Sequence, residues 1–188
     1  TRSYSVTGVQ TCALPILPDT LDRALAGVDT IISTIGSRSP MGANKPEHID
    51  YGGLVNLVNA AKKAGISRFL SVSSCSVTNP KHPLNLFGKI LTWKFRAEEY
   101  LRQSGLDYTI VRPGGLTDEK GERFGLTFAQ GDKISGIISR EDVAKVLVAA
   151  LEDEDAKNKT FEIVQDQGKA VPNLEDLKSE FKKLLRDS

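Results

Sequence analysis

The chain is poor in the residues that staple, ligate or anchor a protein. Its 188 residues include two cysteines (Cys12 and Cys75), one methionine and one tryptophan, and aromatics make up 6%. Two cysteines are too few for a disulfide framework. The two histidines, His48 and His82, have no cysteine or carboxylate at ligand spacing, so no metal site is expected. Charge of one sign is lacking as well. Lys and Arg number 25 against 24 Asp and Glu, with no basic face of the kind that nucleic acid or an anionic membrane requires. No apolar run approaches the ~20 residues that span a bilayer, and the start has no signal-peptide pattern. The glycines of a G-x-G-x-x-G phosphate turn are also missing, since none follow Gly8 at the required spacing. These absences point to a soluble protein of a reducing compartment, cytoplasmic or, in a photosynthetic eukaryote, plastid stromal. Its length suits one domain-sized core.

What is there alternates between strand and helix. Asp19 to Gly27 reads as a short helix, and the β-branched run Val28–Ile35 as a buried parallel strand ending at Gly36. Asn44 and Glu47 have the spacing of a capping box, opening a helix that runs to Gly65 with Tyr51, Leu54, Val55, Val58 and Ala61 on one face. Arg68 to Ser73 is the next strand, turning at Ser74. A long helix is expected over Leu84–Ser104, closed by Gly105, then a strand over Tyr108–Val111, broken by Pro113-Gly114-Gly115. Phe124–Phe128 and Lys133–Ile138 are expected to form a hairpin across Gln130-Gly131-Asp132. Ser139 caps a helix to about Asp153, and Thr160–Val164 is a last strand. A terminal helix, capped at Asn173–Asp176, carries the stripe Leu174, Leu177, Phe181, Leu184 and Leu185. The ~30-residue spacing of strands is that of right-handed βαβ units. The expected fold is α/β, a Rossmann-type doubly wound parallel sheet whose ligands sit at the carboxyl ends of the strands.

The beginning does not fit this pattern. Val6 to Ile16 resembles the in-frame translation of a sequencing adapter and has no helical period. Ser5–Gly8 could instead be a first strand entering a phosphate loop, but a helix and two further strands would then have to fit before Val28. Residues 1–16 are therefore expected to be non-native. Residues 17–188 would be a partial domain with a small C-terminal lobe for substrate or partner. It would lack its first strands and glycine-rich loop, roughly 50–60 residues at ~30 per βαβ unit.

The run Lys94 to Glu99 (KFRAEE), followed by Ser104 to Gly115 (SGLDYTIVRPGG) and Ile138 to Ala144 (ISREDVA), resembles the atypical short-chain dehydrogenases/reductases, in particular their NmrA-like NAD(P)-binding branch. The resemblance implies NADP or NAD as cofactor and a small carbonyl or quinone-like acceptor. It places Ser74, with its neighbour Ser73, where a hydroxyl faces substrate, and Lys94 where a lysine holds the cofactor ribose. It also places Thr34, Ile35 and Gly36 beside the adenosine half and Pro113, Gly114 and Gly115 beside the nicotinamide. Ile90 stands where active members have a tyrosine one turn before the lysine. A proton-exchanging phenol is absent there, a step worth ~10²–10⁴ in rate. A non-enzymatic dinucleotide sensor or assembly factor with a protein partner is thus the rival, while a nucleotide-sugar epimerase would need the same tyrosine. Lys94 also has an ordinary reading, an ion pair with Glu98 one turn on. Arg112 is expected to brace the Pro-Gly turn, and Cys75 to be no nucleophile for want of a base.

Overall fold

The computed structural model describes residues 18–187. The expected non-native segment 1–16, and its alternative of a strand at Ser5–Gly8, lie outside the described residues. Helix α1 (Pro18–Ala24) precedes β1 (Thr30–Ser33). A π-helical turn over Glu47–Gly53 runs directly into α2 (Leu54–Lys63), which leads to β2 (Arg68–Val72). Helix α3 (Ile90–Arg102) is followed by β3 (Asp107–Pro113) and the short β4 (Gly115–Thr117). Then come β5 (Gly125–Ala129), β6 (Ile137–Ser139), α4 (Arg140–Leu151), β7 (Lys159–Asp166) and α5 (Leu174–Lys183).

The main sheet has the order β1-β2-β3-β7-β5; β4 and β6 form a two-stranded parallel pair. The first four strands of that order are parallel, and β5 lies antiparallel on β7. Side chains alternate between two cores, as the pleat requires. Ile31, Phe69 and Ile110 pack with Leu21, Leu54, Val58 and Leu101 of α1, α2 and α3. Leu70, Val111 and Phe161 pack on the other face with Val146, Leu147, Leu177 and Phe181 of α4 and α5. Helices therefore cover both faces, as in a doubly wound sheet.

Three local expectations fail, two of them for tertiary reasons. The helix expected over Leu84–Ser104 is broken: Pro83–Leu86 is one 3₁₀ turn, and α3 starts only at Ile90. Between them Gly88 takes φ +58°, packed so closely that a Cβ would lie 2.7 Å from the Pro40 carbonyl and 2.9 Å from the Pro46 ring. The expected hairpin does not form either, because β5 pairs with β7 and β6 with β4. The chain runs from β3 out to the far edge at β5 and returns through α4 to β7 between them. Of the two capping boxes, Asn173–Asp176 closes reciprocally, at 3.0 and 2.9 Å. Asn44–Glu47 does not, because Glu47 pairs with neighbouring Lys45. In the terminal stripe Leu177 and Phe181 are buried, while Leu174 and Leu185 are exposed.

Arg68 is buried at the start of β2 and donates to the carbonyls of Ala150 (2.6 Å) and Asp107 (2.9 Å) and to the Thr109 hydroxyl (2.8 Å). It thus ties the end of α4 to the sheet, where a cation also suits the helix dipole. Burial lowers its pKa to about 10. Phe161 centres the second core, its ring 5.6 Å from Phe128 and 5.8 Å from Phe181. Phe161→Ala should lower the free energy of unfolding by about 3–5 kcal/mol, read from the urea midpoint at unchanged slope. A loss below about 1 kcal/mol would contradict this packing.

Candidate functional site

The carboxyl ends of β1 and β2 meet α3 and the π-helical turn in a narrow crevice lined by Ile35, Asp50, Ser71, Ser73, Lys94 and Glu98, among others. Each element brings its polar group for a local reason. Ser71 and Ser73 follow Phe69 at the strand period of two, so they share the face turned to α2 and α3. Ser33 is register partner to Ser71 on the neighbouring strand and is likewise buried. Among the described residues, the hydroxyls of Ser33 and Ser73 have no hydrogen-bond partner.

Lys94 lies in the second turn of α3, its side chain 16% exposed, with Nζ 2.8 Å from Asp50 Oδ1. Asp50 is fully buried at its side chain, and its other oxygen accepts the Ser37 N–H at 3.0 Å. The lysine's partner is therefore Asp50 and not Glu98. Glu98 is taken by Arg112, through Nε at 3.0 Å and Nη2 at 2.6 Å, and by Arg102 at 3.0 Å. Gly36 lies over the pair: a Cβ there would stand 3.8 Å from Lys94 Nζ and 3.7 Å from Asp50 Oδ1, so any side chain would roof it. Sequence reasoning missed Asp50. The signal was present, since a carboxylate stands beside Tyr51 and four residues before Leu54, on the apolar face of the expected helix.

Of the residues picked from sequence, Ile35, Gly36, Ser73 and Lys94 come together here. Thr34 is exposed just before them. Ser74 is not among the lining; its hydroxyl donates to the Cys75 carbonyl at 3.0 Å. Pro113, Gly114 and Gly115 also stand outside. The Pro113 carbonyl accepts from Cys75 N at 2.9 Å, Gly114 N donates to Ile163 O at 3.0 Å and Gly115 N to Gly136 O at 2.8 Å. Those N–H groups are engaged within the protein, and a Cβ at Gly114 would fall 2.4 Å from the Gly136 carbonyl. Cys75 is buried, its thiol donating to the Arg112 carbonyl, and burial pushes its pKa up to about 12.

A second fastening was not legible in the sequence. Asp132, at φ +58° in the turn after β5, accepts from Ser76 N (2.5 Å), Thr78 N (2.9 Å) and the Thr78 hydroxyl (2.7 Å). It clasps the loop that carries Ser74 onward from β2. Partial burial pushes the Asp132 carboxyl up, but the Thr78 and Ser76 donors outweigh it and hold the group below its ordinary value.

The sheet and its polar crevice define a Rossmann-type nucleotide-binding protein. A family model described as NAD(P)H-binding matches residues 5–154, and the chain belongs to that family. It is 39% identical to sanguinarine reductase of Eschscholzia californica, over 74% of this chain and 52% of that protein. It is 41% identical to the uncharacterized chloroplastic protein At2g37660 of Arabidopsis thaliana, over 72% of this chain and 44% of that one. The chain thus spans about half the length of these curated relatives. The oxidoreductase ylbE of Lactococcus lactis shares the fold, with a TM-score of 0.76 over 96% of this chain and 80% of that one at 24% identity. No helix among the described residues is long and apolar enough to cross a membrane.

Asp132→Ala should cost about 1–2 kcal/mol, the lower range for hydrogen bonds to a charged group, because solvent screens a half-exposed site. The pH dependence follows from the lowered pKa. The carboxylate's contribution is complete above the unfolded value of about 3.9 and is lost as pH falls through the folded one. Urea unfolding of parent and variant should therefore differ by a constant amount from neutrality down to about pH 5 and converge in stronger acid. A gap that widens on acidification would contradict the clasp.

Proposed function

We propose that this chain is part of an NAD(P)H-dependent reductase that binds NADP or NAD across the carboxyl ends of β1, β2 and β3 and passes hydride to a small carbonyl or quinone-like acceptor. The observation that carries this reading is the placement of Lys94 Nζ beside Asp50, under the bare Gly36 and near the unpartnered Ser73 hydroxyl. A ribose diol both donates and accepts, and the crevice holds an ammonium to donate to it and a carboxylate to accept from it. The bound nicotinamide supplies the hydride. Lys94 binds the sugar hydroxyls, and Ser73 polarises the acceptor by donating to its oxygen, the part the sequence had given to Ser74. With Ile90 one turn before Lys94, water brings the proton. A relative that bears the name sanguinarine reductase supports the reductase reading. The absence of a phenol beside Lys94 favours a second one, a dinucleotide sensor that regulates a protein partner.

The test is NADPH oxidation by the protein, assayed against quinones and aldehydes. Ser73→Ala should lower kcat/KM about 100-fold, and Ser74→Ala should leave it near the parent. Tight NADPH binding with no turnover and a co-purifying partner would decide for the sensor.

A further inference from the structure

We propose that Asp50 is the positioning residue of the crevice: its one carboxylate holds the Lys94 ammonium and the Ser37 N–H, so that α3 and the turn after β1 meet a bound sugar as a single unit. The inference rests on the dinucleotide reading above and adds a residue to it. A fully buried carboxylate needs partners, since an isolated charge in the interior is strongly disfavoured. Asp50 has two, on two different elements, at 2.8 and 3.0 Å. Ser37 extends the connection, because its hydroxyl lies within hydrogen-bond distance of the carbonyls of Ser39 and Asn44, with one proton to give between them, and so helps fold the turn that carries Gly36. Asp50 itself sits in the π-helical turn before α2, and such turns recur at functional sites.

Two observations point outward from this pair to a ligand. Asp50 lines the crevice with Lys94 Nζ, 2.8 Å from Oδ1, as that oxygen's one partner among the described residues, so a lone pair is left over beside the ammonium. The Ser73 hydroxyl in the same crevice is more than nine-tenths buried and has no partner among the described residues. Lysine carries its charge on a flexible four-carbon stem. Fixing that stem before the ligand arrives removes part of the ordering cost from binding. Asp50 acts on the ligand mainly through this fixation.

A double-mutant cycle on the full-length protein tests it, with NADPH affinity read by fluorescence titration. Asp50→Asn keeps an oxygen for the Ser37 N–H but removes the charge facing Lys94. Asp50→Asn and Lys94→Met should each weaken NADPH about tenfold or more, and the double variant should bind no worse than Lys94→Met. Losses that multiply, giving about a hundredfold or more in the double variant, would overturn the proposal while leaving the dinucleotide reading intact. Should Asp50→Asn fail to fold, the double variant leaves no unpaired charge in the crevice and is compared with Lys94→Met alone. Equal affinities support the proposal and a further loss overturns it. A full-length parent that does not bind NADPH overturns the dinucleotide reading and the proposal with it.

Discussion

Arg112 reaches from β3 to Glu98 of α3 with two nitrogens on two oxygens, at 3.0 and 2.6 Å, and the two residues are 5% and 2% exposed. Glu162 of β7 stands at 3.4 Å on the same guanidinium, and burial holds its proton more tightly than usual. Removing one partner of such a pair leaves an uncompensated charge in the interior, at about 3–5 kcal/mol. A bidentate fork also fixes direction as well as distance. The helix therefore has little freedom to slide or roll on the sheet, and Lys94, one turn before Glu98, inherits its position. From there the chain of contacts runs through Asp50 to Ser37 and the end of β1. The crevice is held from two sides by charges whose partners lie on other elements.

The βα order was legible because its signals are local. A β-branched run reads as a buried strand wherever it occurs, and Gly65 and Gly105 stop their helices at φ +73° and +81°, as a glycine after a helical stripe should. What was not legible was set at a distance. Nothing near Gly88 shows that Pro40 and Pro46 will press on it, and nothing in Phe124–Ile138 shows that β7, more than twenty residues on, will take β5 as its partner while β6 goes to β4. The site divides in the same way. Lys94 was singled out by the family resemblance. Its partner was misassigned because the i,i+4 rule describes an isolated helix, whereas here Arg112 from the next strand binds Glu98 at closer range. The Asp132 clasp had no local sign.

The turn after β3 shows how a signal can be right about shape and yet silent about purpose. Pro113-Gly114-Gly115 does turn the chain, and Gly114 is required there. The requirement comes from the Gly136 backbone, which lies where a Cβ would go. The amide groups close ladders to β7 and β6, so this turn splices the main sheet to the β4–β6 pair. Polar groups open to a ligand consequently gather on one side, from the end of β1, the end of β2 and α3. The buried Cys75 thiol, its proton held up to about pH 12, adds no nucleophile on the other.

Stability alone gives no reason for the Lys94–Asp50 pair. Buried ion pairs are often matched or exceeded in stability by apolar side chains of similar volume, and the walls around this one, Ile35, Leu54 and Ala97, are apolar already. The pair also lies beyond the end of β1, which among the described residues has a neighbour on one side only and leaves Ile32 42% exposed. A charged pair at the carboxyl end of an open strand does little to seal a core. It does keep a donor and an acceptor in fixed positions before anything binds, with the cost of desolvation already met by the Ser37 N–H and by each other. A sugar hydroxyl arriving there would meet an ammonium whose position Asp50 has already fixed, which is the arrangement that preorganised binding requires.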